Sequence, residues 1–293
     1  MLCLIDCHFL INKIFVLGLV LFTVQTLPTQ ANTPLSIAVI DSGINTSLFK
    51  DNIVYEVCLV SEFTCPNGKQ KMEGIGAANT PISTNKVLSH GTAVISAILQ
   101  SNPSAKIVMI RIVGIDFKGN PADYYLEDID MALSWVVKNQ KKHNISVVNI
   151  SQGNTFATCR ISETFKKDVQ TLKKRNVPVI TPAGNDGNNK PVFSPGCWRE
   201  TISIGAVNSV GTIQSYSNAQ GKVDFYLKDN YTVTTMDGSK KDTYGTSVAT
   251  ASLSAWWVLN KLNSIQETYA YLKSVEKPVS NDFVKGTYIE LEQ

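Results

Sequence analysis

The sequence predicts an α/β fold: a mostly parallel central sheet with helices on both faces. Two observations carry that expectation. Short apolar runs rich in β-branched residues alternate with longer stretches of helical periodicity along most of the chain, the pattern of repeated strand–helix–strand units. Several of the short runs are apolar throughout, as strands buried on both faces are.

Taken in order, Leu35 to Ile40 reads as the first strand, and Asp41-Ser42-Gly43 as the turn that ends it. Asp41 then stands at a strand's carboxyl end, where open α/β sheets place their sites; the plain alternative is an Asx-turn. Ile53 to Val60 is a second candidate strand. Residues 61–86 are polar and hold Pro66, Gly68, Gly74, Gly76 and Pro81, so they read as a long surface loop. Ser89-His90-Gly91-Thr92 opens an apolar helix running to Leu99. At its N-terminal end the helix dipole favours a neutral His90 able to take a proton. Lys106 to Val113 is a strand, Tyr124 to Lys142 a helix, and Ser146 to Ile150 a buried strand followed by the turn Ser151-Gln152-Gly153. Ile161 to Arg175 is an amphipathic helix. Val177 to Thr181 is a strand ending in Pro182-Ala183-Gly184-Asn185, Thr201 to Val207 another, and Val223 to Tyr226 a further candidate. Val248 to Leu259 is apolar almost all round, and a helix without a polar face is a buried one. Ser247 stands at its mouth, where unpaired N–H groups converge; there a hydroxyl is either an N-cap or a nucleophile. No structure is assigned to Lys277 to Gln293.

The chain has 293 residues, 43% hydrophobic and 17% charged, with a net charge of +3. Such a small charge, without a basic cluster, gives no footing for nucleic acid. Ile14 to Val24 is an apolar run preceded by Lys13 and followed by Thr29-Gln30-Ala31. It reads as a secretory signal peptide over residues 1–31, too short for an ordinary membrane span. The exported chain, extracellular or periplasmic, is then one domain over residues 32–293, with no membrane span once the leader is cut. Cys58, Cys65, Cys159 and Cys197 remain after that cleavage, and an even number in an exported chain reads as two disulfides. Of the three connectivities, Cys58–Cys65 with Cys159–Cys197 is the simplest. A monomer is expected. In the mature chain only His90 and His143 are histidines, and His143, following Lys141-Lys142, is expected to be exposed. A histidine base, if one is needed, is therefore His90.

An Asp ends the first strand, a His begins the first buried helix and a Ser begins the last. The order Asp, His, Ser is the order of subtilisin. The flanking residues agree: Ile37-Ala38-Val39-Ile40-Asp41-Ser42-Gly43-Ile44, Ser89-His90-Gly91-Thr92 and Gly245-Thr246-Ser247-Val248-Ala249 resemble the aspartate, histidine and serine motifs of the subtilisin-like serine peptidases. Pro182-Ala183-Gly184-Asn185 is similar to the segment carrying their oxyanion-hole asparagine, and Val148-Asn149-Ile150-Ser151-Gln152-Gly153 to the strand and turn lining their substrate cleft. The resemblance covers roughly residues 36–262.

The resemblance implies a three-layer fold and a serine endopeptidase with catalytic Asp41, His90 and Ser247 and an oxyanion hole at Asn185. It implies a polypeptide substrate held along Ser151, Gln152, Gly153, Ala183 and Gly184 by strand addition. The competing expectation is an inactive relative that binds peptide or protein. Residues 32–35 leave no room for a recognisable propeptide between the leader and the first strand. The second histidine usual after the histidine motif, the proline usual in the serine helix and the Pro-Gly segment usual near Leu227 to Tyr231 are absent. No cofactor is expected. Many members bind calcium, but no aspartate-rich loop is present; Asp224 stands where some place a ligand and is expected to be a structural surface residue.

Overall fold

The computed structural model describes residues 34–281 and 284–291. The expected leader, residues 1–31, lies outside the described residues. Five strands, the first four separated by helices, build the parallel core of the sheet: β1 (Ser36–Asp41), β4 (Lys106–Arg111), β5 (Ile145–Ile150), β6 (Val179–Pro182) and β7 (Ile202–Val207). β2 (Ile53–Leu59), β3 (Lys71–Glu73), β8 (Phe225–Lys228), β11 (Lys277–Ser280) and β12 (Lys285–Ile289) complete one sheet in the order β11-β12-β8-β7-β6-β5-β1-β4-β2-β3. β9 (Tyr231–Thr234) and β10 (Lys240–Thr243) form a separate antiparallel hairpin. The helices are α1 (Lys86–Ser101), α2 (Leu126–Asn139), α3 (Glu163–Lys174), α4 (Thr246–Asn260) and α5 (Ile265–Ser274).

Strand alternation sorts the core into two layers. Ile37 and Val39 of β1, with Ile107 and Met109 of β4, join the cluster containing α1, α4 and Leu272 of α5. Ala38 and Ile40, with Val108 and Ile110, join the cluster containing α2 and α3. Successive side chains of a strand point to opposite faces, so each apolar strand feeds both layers. The helical layers follow from the same logic: α3 buries only Phe165, Asp168, Val169 and Leu172 along one stripe, whereas α4 is buried from Thr246 to Trp257. The expected disulfides are both formed, with Cα separations of 5.9 Å for Cys58–Cys65 and 5.8 Å for Cys159–Cys197.

The topology decides where a site can lie. The chain runs from β1 out to β2, returns to β4 beside β1, and then crosses β1 to β5 on its other side. The order of strands thus reverses at β1, and a crevice opens at the carboxyl ends on either side of it. Asp41 is the last residue of β1. Gly91 lets α1 approach this point: a Cβ there would come within 2.2 Å of the Gly43 carbonyl oxygen.

Several boundaries differ from expectation. α1 begins at Lys86, capped by the Asn85 side chain, which accepts from Val87 N and Leu88 N; the cap lies inside a stretch read as loop. β3 also falls in that loop, as a short strand paired with β2. The C-terminal residues left unassigned form β11 and β12, which extend the sheet beyond β8. Asp224 is buried, not at the surface. His143 is half-buried, with its ring against Tyr55 at 4.2 Å and Trp135 at 5.5 Å.

Because α4 has no solvent face, deleting its bulk leaves a cavity that the packed sheet cannot refill. Leu253 is fully buried. Leu253→Ala is expected to cost about 2–5 kcal/mol, measured as a lower denaturant midpoint with an unchanged slope.

Candidate active site

Asp41 is fully buried, and its carboxylate is held by donors from three places. The Ser42 backbone N–H donates to Oδ1 at 2.7 Å, Gln152 Nε2 donates to Oδ1 at 3.0 Å, and His90 Nδ1 lies 2.8 Å from Oδ1 and 3.0 Å from Oδ2. The Ser42 hydroxyl accepts from Gly91 N at 3.2 Å, tying the loop after β1 to α1 beside the histidine. The carboxylate fixes the imidazole: with Nδ1 as the donor, Nε2 is left to accept a proton.

Burial lowers the affinity of His90 for a proton, but the charge of Asp41 and its hydrogen bond together outweigh it, and the pKa ends above 6.5. This reverses the direction expected from the helix dipole. The physical reason is position. With Asn85 as the cap, His90 lies in the second turn of α1, where the dipole's effect has faded, while Asp41 touches the ring.

Ser247 is the second residue of α4, after the Gly245 cap, so it is not itself the N-cap. Its Oγ donates to the Ser151 carbonyl at 3.3 Å, and its own carbonyl accepts from Ser151 Oγ at 3.3 Å. Asn149 Nδ2 donates to Ser151 Oγ, and Ser254 Oγ donates to Asn149 Oδ1 at 3.0 Å. A buried polar chain thus ties α4 to the end of β5. No hydrogen bond joins Ser247 to His90 among the described residues, though α1 and α4 pack side by side; such contacts often tighten only when substrate is bound. Asn185 meets the same helix end. Its Oδ1 accepts from Thr246 N at 3.0 Å and Thr246 Oγ1 at 3.1 Å.

The remaining sequence-predicted residues lie nearby, but not all as expected. Gln152 turns its amide onto Asp41. The backbone of Ala183 and Gly184 is already paired: Ala183 donates to Ile204 and accepts from Phe193, and Gly184 donates to Thr246 Oγ1 and accepts from Asn218. The Gly153 carbonyl accepts from the Tyr124 hydroxyl at 2.9 Å. Strand addition along these groups would have to displace bonds within the chain.

Asp229, Asn149 and Ser254 are the site-supporting residues that sequence reasoning passed over. Asp229 is fully buried, and its carboxylate accepts from Gly245 N at 3.2 Å and Gln214 Nε2 at 3.1 Å; burial pushes its pKa up. The one available signal was the Lys228-Asp229 pair standing where Pro-Gly was expected. Asp224 is held by protein partners. Its carboxylate accepts from Ser203 N and the Tyr269 hydroxyl and pairs with the Lys222 ammonium.

The comparisons show the family and the fold. The model of the subtilase family matches residues 32–268, and the chain belongs to that family. It is 26% identical over 218 residues to subtilisin amylosacchariticus of Bacillus subtilis subsp. amylosacchariticus and, to the same extent, to subtilisin J of Geobacillus stearothermophilus, matching 73% of this chain and 52% of each relative. The chain thus spans about half the length of these curated relatives. Among solved structures, a cold adapted subtilisin-like serine proteinase shares the fold with a TM-score of 0.64 at 20% identity, covering 88% of this chain and 89% of that one.

The Asp41–His90 contact makes a pH prediction. A histidine whose folded pKa is raised adds stability that is full below its unfolded value, near 6.5, and lost as pH climbs through the folded value. Asp41→Asn removes the charge that outweighs burial. In that variant the His90 pKa is expected to fall, read by NMR titration of the ring, and the pH-dependent part of the stability above pH 6.5 to shrink with it. An unmoved titration would show that Asp41 does not set the histidine's charge.

Proposed function

We propose that this chain is an exported serine endopeptidase cleaving polypeptides through an acyl-enzyme. The observation that supports the reading is the buried Asp41–His90 pair, bonded to Gln152, whose neighbour Ser151 bonds to Ser247, in a chain of the subtilase family.

In this reading Ser247 Oγ attacks the scissile carbonyl while His90 Nε2 takes the hydroxyl proton. Asp41 keeps Nδ1 protonated and stabilises the imidazolium as it forms. The carbonyl oxygen becomes an oxyanion and is met by Asn185 Nδ2 and the Ser247 backbone N–H. His90 then gives its proton to the leaving amine. Water, deprotonated by the same imidazole, releases the acyl group and returns the proton to Ser247. Two disulfides and the leader-like N-terminal sequence support export, and among the described residues no helix is long and apolar enough to cross a membrane.

Methanesulfonyl fluoride is expected to modify Ser247 and abolish hydrolysis of casein, and Ser247→Ala to be neither labelled nor active. Asn185→Ala is expected to lose about 10²–10³ in kcat, a size measured for subtilisin's own oxyanion asparagine, with KM little changed. A folded protein whose Ser247 resists the reagent would be a binding module instead.

A further inference from the structure

We propose that Phe193 closes the pocket beside the nucleophile, so that the residue on the acyl side of the cleaved bond must be glycine, alanine or serine. The inference rests on the peptidase reading above and names the substrate class of that same site.

β5 and β6 are paired at Val148–Val179 and Asn149–Ile180. Their extensions, residues 151–153 and 183–185, carry the two groups that flank the reacting carbonyl. The Ser151 carbonyl touches Ser247 Oγ, and Asn185 is the oxyanion donor. The residue whose carbonyl is attacked therefore sits over the space between these extensions, and its side chain has to enter that space or point away from it.

That space is filled. A Cβ built on Gly184 would lie 2.4 and 2.5 Å from Phe193 Cδ1 and Cε1, and one built on Gly153 would lie 3.2 and 3.3 Å from Phe193 Cβ and Cδ2. Opposite edges of the ring therefore press on the two glycines. The room that two missing side chains leave beside the nucleophile is taken by an aromatic ring, not offered to a substrate. The ring is half-buried, so its remaining surface forms a shallow floor.

The backbone holds it there. Phe193 N donates to the Ala183 carbonyl at 2.8 Å on one side of the space. On the other side, Ser194 and Asn154 exchange both backbone hydrogen bonds, at 2.9 and 3.0 Å. Cys197 N donates to the Phe193 carbonyl, and Cys197 is bonded to Cys159. A segment stitched to both walls does not withdraw as a unit, and close packing leaves a large side chain no alternative volume.

The test compares two extended tetrapeptide p-nitroanilides that differ only in the residue before the cleaved bond, alanine or phenylalanine. The wild-type chain is expected to favour alanine by about 100-fold or more in kcat/KM, the size of discrimination that pocket volume supports. Phe193→Gly, with Phe193→Ala as a second variant, is expected to raise the rate on the phenylalanine substrate at least about tenfold and so to narrow the alanine-to-phenylalanine ratio. A gain of activity cannot come from misfolding. Methanesulfonyl fluoride carries no side chain for this space and reports the nucleophile separately. If Ser247 is labelled but the wild type takes both substrates equally, or the variants leave the ratio unchanged, the inference falls and the peptidase reading stands. If Ser247 is not labelled, both fall.

Discussion

A carboxylate with no exposed surface is among the most expensive groups a protein can contain unless donors surround it. Asp41 is such a group, and the architecture around it is organised by that requirement. One donor is local, the N–H of Ser42. The other two come from α1 and from the turn after β5, which are brought beside β1 by the reversal of strand order there. The glycine at position 91 is part of the same requirement, because any side chain would hold α1 away from the loop that follows Asp41. The charge is retained because the histidine needs it. Without an anion in contact, burial alone would leave the ring with a depressed proton affinity and a free tautomer.

The parts of this site tied to element ends were legible in the sequence. Asp41, Asn185 and Ser247 each follow or open an apolar run, and a parallel sheet gathers such ends on one side, whereas His90 lies one turn inside α1. The layer assignment was legible for the same reason: the strand and helix periods differ, and both were long enough to read. What escaped was set by side-chain direction or by distant partners. Gln152 sits at the expected turn, but nothing local says that its amide turns back to Asp41. The dipole argument for His90 failed because the cap, Asn85, lies in a polar stretch that reads as loop. β11 and β12 are short, partly polar strands that acquire meaning only by pairing with each other and with β8. The ring of Phe193 is placed by backbone bonds to Ala183 and, through Ser194, to Asn154, contacts between segments that no periodicity connects.

The departures from the family pattern can be joined into one physical account of the start of α4. Where a Pro-Gly pair was expected, Asp229 buries a carboxylate that grips the N–H of Gly245. Gly245 has φ +143, a conformation that side-chain-bearing residues rarely adopt. An anion on its N–H therefore fixes the glycine that precedes α4. Thr246 follows, and its N–H and hydroxyl both donate to Asn185 Oδ1. An amide with its oxygen held by two donors cannot turn over without setting its NH2 group against them. Nδ2 is thereby left facing away from Thr246, as a donor of fixed polarity. Asp229 acts at a distance of two residues through backbone geometry, and its burial among neutral donors keeps water from competing for Gly245. The start of α4 is thus held from two sides, by the buried Asp229 carboxylate on the N–H of Gly245 and by Asn185 Oδ1 on the N–H and hydroxyl of Thr246.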